Sequence, residues 1–68
     1  MLPDILMWNK CGRIIMRLSE RLRIKPERAL DVWYSSKTNL RLHDPNDILY
    51  LMSDLYIVDE LILEIQGR

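Results

Sequence analysis

From Asp4 to about Arg23, the residues Met7, Cys11, Ile14, Leu18 and Leu22 recur at spacings of four, three, four and four, with Trp8 and Ile15 flanking them. That period puts the apolar positions on one stripe of an amphipathic helix. Pro3 suits a first turn, and Asp4 favours the positive end of the helix dipole. Gly12 costs about 1 kcal/mol relative to alanine in a helix interior, which predicts either a close packing contact or a local weakness. The segment ends at Ile24-Lys25-Pro26, because a residue before proline is pushed out of the α region while proline opens the next helix well.

A second helix is expected from Pro26 to about Ser36, with Leu30, Trp33 and Tyr34 facing inward and Ala29 allowing close approach. Glu27 in its first turn and Lys37 at its end suit the dipole. An irregular stretch is then predicted from Thr38-Asn39 through His43-Asp44-Pro45-Asn46, followed by a short helix from Asn46 or Asp47 to Met52. The seventeen residues LYLMSDLYIVDELILEI, Leu49 to Ile65, are more apolar than a soluble helix needs. Ser53 or Asp54 can cap free backbone amides there and divide the run into a short element and a final helix.

On a wheel of about 100° per residue, Leu55, Val58, Leu61, Ile62 and Ile65 form the core stripe of that final helix. Tyr56 and Leu63 fall on nearly the opposite side, with Asp59 and Glu60 beside them. In the first helix Ile5 and Met16 lie off the main stripe. An apolar second stripe rimmed by charge has the form of a helix-packing interface, with a copy of the chain or with another protein. The expected fold is all-α: a single domain over residues 1–68, built as a small bundle of three to four short helices.

Length sharpens this expectation. A chain of 68 residues buries only roughly 60% of the surface that its unfolded form exposes, so an additional source of stability is expected. Cys11 is the only cysteine and His43 the only histidine, so neither an internal disulfide nor a Cys/His zinc set can be built, and no metal or cofactor is expected. Self-association or a bound protein partner remains. The opening MLPDILMWNKC has an acid and no basic n-region, unlike a signal peptide. Asp54, Asp59, Glu60 and Glu64 interrupt the most apolar stretch, so no membrane span is expected. The single thiol suits a reducing compartment, and a cytoplasmic location is the expectation.

Formal net charge is zero, but the charges are sorted: residues 1–42 hold nine Lys/Arg against four Asp/Glu, and residues 43–68 hold one Arg against six acids. Such a +5/−5 division can draw the halves together, pair protomers head to tail, or offer distinct faces to a partner. Lys10, Arg13, Arg17 and Arg21 form a basic stripe along the first helix, suited to phosphates or to an acidic protein surface. The segment LSERLRIKPERALDVW has the cadence of a helix-turn-helix opening, but the element that would act as reader, near Asp47 to Met52, is apolar and acidic. Catalysis is not expected: Cys11 is on the core face, His43 is in a polar turn beside Asp44, and only Gly12 and Gly67 are available for a phosphate loop.

The segments LSERLRIKPERALDVWYSSKTNLRL, Leu18 to Leu42, and MSDLYIVDEL, Met52 to Leu61, resemble a bacterial domain-of-unknown-function family of short helical proteins. The two segments cover about half the chain, in the family's order. Members are often encoded beside toxins similar to ADP-ribosyltransferases, so the resemblance implies an antitoxin or immunity-like partner. It also implies a glycine where Arg23 stands. The expected function is that of a non-catalytic protein-binding module. Tyr56 and Leu63, rimmed by Asp59 and Glu60, would form the docking stripe, while Met16, Arg13, Arg17 and Arg21 supply steering or a second contact. The alternative is a small homodimeric nucleic-acid-binding regulator that uses the basic stripe.

Overall fold

The computed structural model describes residues 4–67, and the expectation for Pro3 lies outside them. Four α-helices follow in order: α1 (Asp4–Leu22), α2 (Pro26–Tyr34), α3 (Lys37–Leu42) and α4 (Asp54–Ile65), with a 3-10 turn at Leu49–Leu51 before α4. There is no strand among the described residues, and no helix among them is long and apolar enough to cross a membrane. The protein is all-α.

α1 buries Met7, Cys11, Ile14, Ile15 and Leu18, the stripe that its apolar period predicts. These side chains pack with Ala29 and Trp33 of α2, Leu42 of α3, Leu49, and Ile57, Val58 and Leu61 of α4 in one apolar core. Trp8 differs from expectation. It lies at the edge of the stripe and is 80% exposed.

Arg23 ends α1 in the left-handed region, at φ 55°. The Ile24 amide then donates back to the Ser19 carbonyl at 3.1 Å, the six-to-one bond of a Schellman cap, and the Ser19 hydroxyl donates to the Ile24 carbonyl at 2.6 Å. Lys25 is extended, as its position before Pro26 requires. A side chain in the left-handed region costs roughly 1 kcal/mol that glycine avoids. Arg23 is exposed and makes no ion pair among the described residues. Arg23→Gly should therefore raise stability by about 0.5–1 kcal/mol, read as a higher urea midpoint at unchanged slope. A lower midpoint would show that the turn is not left-handed.

α2 stops at Tyr34, and Ala29 and Trp33 form its buried face. Leu30 and Tyr34, expected inside, are 42% and 58% exposed. The nine-residue helix presents one narrow line to α1, and the small Ala29 and the large Trp33 fill it.

The first part of the expected irregular stretch, Thr38 to Leu42, is instead helical, while His43 to Asn46 is irregular as expected. KTNLRL has little apolar periodicity, yet α3 forms because side chains satisfy its first amides. The Ser36 hydroxyl accepts from the Asn39 amide at 3.0 Å. Glu64, reaching from α4, accepts from the Lys37 and Thr38 amides at 2.8 and 3.0 Å and from the Thr38 hydroxyl at 2.7 Å. The expected helix between Asp47 and Met52 is only the 3-10 turn, entered through Asp47, whose carboxylate accepts from the Leu49 amide at 2.9 Å. Ser53 caps α4 as expected, accepting from the Tyr56 amide at 3.1 Å.

Gly12 is not a close packing contact within the chain. A Cβ built there would meet nothing within 4 Å.

Candidate protein-docking surface

The inward face of α4 is Ile57, Val58 and Leu61. Val58 and Leu61 lie on the expected core stripe, with Ile62 partly buried beside them. Leu55 and Ile65, also expected inside, are instead about half exposed, and Ile57 takes their place. The helix is apolar on nearly every side, so its periodicity defines its rotation poorly. Its acids set the rotation. Asp54 and Glu64 turn toward the body of the protein, where cations and free amides await them.

Tyr56 and Leu63 remain outside, 48% and 47% exposed, on the face away from the core. Leu63 lies along a cleft of about 540 Å³ that it shares with Lys37, Thr38, Arg41, Glu60 and Glu64. The rim acids are not bare. Asp59 accepts from Arg21 at 3.0 Å, and Glu60 accepts at 3.2 Å from Arg41, which also donates to Asp47 at 3.0 Å. These pairs are substantially exposed, so each contributes at most about 1 kcal/mol. What they provide is a fixed placement of charge around the apolar stripe.

The basic stripe of α1 is largely consumed in the same way. Lys10 is buried, and its Nζ donates to the Met52 carbonyl at 2.9 Å and to Asp54 at 3.0 Å. Arg13 donates through Nε to the other Asp54 oxygen at 2.7 Å. Of the four cations, Arg17 alone makes no ion pair among the described residues. Part of the sorted charge thus closes within the chain, Lys10, Arg13 and Arg21 of α1 against Asp54 and Asp59 of α4, while Arg17 stays outside these pairs. Met16, grouped with Tyr56 and Leu63 by sequence, lies elsewhere. It lines a groove between α1 and α2 with Gly12, Ile15, Pro26 and Leu30.

Three carboxylates titrate away from ordinary behaviour. Desolvation pushes Asp54 up, but the hydrogen bonds from Arg13 and Lys10 together outweigh it and hold its carboxyl below the usual range. Desolvation likewise raises Glu64, and the Lys37 and Thr38 donors more than reverse it. The Arg41 hydrogen bond, with the Leu49 amide, holds Asp47 down. Each group binds its proton more weakly when folded, so its stabilisation is complete above the unfolded value of about 4 and is lost as pH falls through the lower folded value. Melting temperature should be flat from about pH 7 to 5 and drop below about pH 4. Glu64→Gln should flatten part of that drop; an identical acid limb in the variant would remove Glu64 as a contributor.

Burial pushes the Cys11 thiol up, and the neighbouring Trp33 and Lys10 offset this only in part, so the sulfur stays protonated at neutral pH. The His43 Nδ1 lies 2.9 Å from the Asn39 carbonyl at the end of α3. Among the described residues no three His, Cys, Asp or Glu side chains gather as a metal set.

Fold and surface together define a small four-helix protein with apolar side chains displayed on more than one face. No family model matches the chain, and neither curated proteins nor solved structures give a match.

Proposed function

We propose that this protein is a non-catalytic protein-binding module that docks a partner through the outward face of α4. The observation that carries this reading is the exposure of Tyr56 and Leu63 beside charge pairs that are already satisfied within the chain. A partner covering Tyr56 and Leu63 removes apolar surface from water without having to desolvate an unpaired charge. Arg21 and Arg41 orient the acids at the rim, where they favour a correctly matched partner over a mismatched one. The mechanism is steric: the partner's surface is occupied.

The resemblance over Leu18 to Leu42 and Met52 to Leu61 makes an ADP-ribosyltransferase-like toxin the first partner to test. The acids of α4 are engaged by arginines of their own chain, so such a complex would be centred on the apolar stripe, with Asp59 and Glu60 at its edge. Tyr56→Asp combined with Leu63→Asp should lower affinity at least 100-fold, about 2.7 kcal/mol, measured by calorimetry against whatever protein co-purifies with a tagged copy. Both positions are half exposed, so the helical circular dichroism should be unchanged. Undiminished affinity in the folded double variant would remove this face.

A further inference from the structure

The groove between α1 and α2 lies on the far flank of α1 from Lys10 and Arg21, two of the three α1 side chains that pair with α4. It measures about 440 Å³ and is walled by Gly12, Ile15 and Met16 on one side and Pro26, Glu27 and Leu30 on the other. Glu27 is the one charged residue in this lining. Gly12 lies in its wall with open space above it. A glycine in mid-helix weakens that helix relative to alanine, and nothing inside this chain uses the space that it leaves. A second helix backbone approaching closely would use it.

One and two helical turns toward the N-terminus, on the same face of α1, stand the most exposed large apolar side chains of the described residues, Trp8 at 80% and Ile5 at 72%. A protrusion and a hollow are therefore neighbours on one continuous surface, about 6 Å apart along the helix. A two-fold rotation can bring Trp8 of each protomer to the other's groove, the reciprocal arrangement that an isologous dimer requires.

The available area agrees. Taking about 200 Å² for a whole large apolar side chain, Ile5, Trp8, Met16 and Leu30 together display on the order of 500 Å² at their observed exposures. Two such faces bring about 1,000 Å², the lower bound for a specific interface and the size of a weak, concentration-dependent one. We infer that this protein is a homodimer in solution, formed by α1 and α2 of two copies around Gly12, with Trp8 of each seated in the other's α1–α2 groove. The filler and the hollow both belong to this chain, so no foreign side chain is needed to complete the contact. The α4 face stays open, so a dimer would offer two docking stripes.

The test is sedimentation of the full chain from micromolar to millimolar concentration, with tryptophan emission recorded alongside. The native chain should pass from 8.2 kDa to twice that mass, and the exposed Trp8 emission should shift to the blue as it does so. Trp8→Glu removes the protrusion and Gly12→Leu fills the hollow; each should weaken dimerisation at least tenfold while the protomer stays helical at high dilution. The double variant Tyr56→Asp/Leu63→Asp should dimerise like the native chain, so failure of the α4 reading and failure of this one are distinguishable. A protomer mass at every concentration would overturn the inference. So would a dimer that both groove variants leave intact, or one that only the α4 variant dissolves.

Discussion

Asp54→Ala should cost about 2–4 kcal/mol, a large share of the roughly 3–10 kcal/mol available to a chain of this length. Asp54 is the shared anion of two cations on α1, 3.0 Å from Lys10 and 2.7 Å from Arg13. Arg13 is more than half exposed and can return to water at little cost. Lys10 cannot, because its side chain is only 10% exposed. Without Asp54 its ammonium keeps a single partner in the chain, the Met52 carbonyl. Breaking a fully buried pair from one side costs about 3–5 kcal/mol, and the lower figure here allows for the 18% exposure of Asp54. The asymmetry is the sharper expectation. Lys10→Met keeps the apolar stem and removes the charge, so it should cost less than about 1.5 kcal/mol. In a Lys10→Met background, Asp54→Ala should then be at least about 1 kcal/mol milder than in the native chain. Urea denaturation of the four proteins reads this directly, and strict additivity would show that the two residues do not interact.

Trp33→Ala should be the most damaging single change, about 3–5 kcal/mol, and enough to leave the chain largely unfolded at 25 °C if its stability lies at the lower end for its size. Trp33 is the largest side chain among those fully buried, and the core it joins draws on every helix. A core this small cannot collapse around so large a vacancy. Trp33→Phe should be far milder. The indole N–H is buried with no hydrogen bond of full geometry among the described residues and only the weak Cys11 sulfur beside it, so the smaller ring removes part of a desolvation penalty while it loses contact area. Near-UV circular dichroism and thermal melts should place Phe close to the native protein and Ala close to the unfolded state. Equal melting temperatures for Ala and native would show that Trp33 is not central to the core.

Several features were legible without coordinates because they depend on neighbours in the chain. α1 combines a strong apolar period with a proline-marked end, so its extent and its buried stripe follow from sequence alone. Ser53 is a cap because a hydroxyl just before an apolar run meets free amides three residues on. The exposure of Tyr56, Leu63, Met16 and Ile5 follows from wheel geometry of the same kind.

Tertiary structure alone decided the features that depend on distant partners. α3 has a local cap in Ser36, but its Lys37 and Thr38 amides are satisfied by Glu64, 26 residues from Thr38, on another helix. Lys10 leaves the basic stripe for the interior because Asp54 and the Met52 carbonyl, more than 40 residues away, are there to receive it. In α4, apolar on nearly all sides, Asp54 and Glu64 turn toward α1 and α3, Asp59 keeps its arginine at the surface, and Leu55 and Ile65 stay half exposed. Burying a charge is costly only until it finds its counterpart, and which counterpart it finds is a matter of three-dimensional proximity that a linear pattern does not encode.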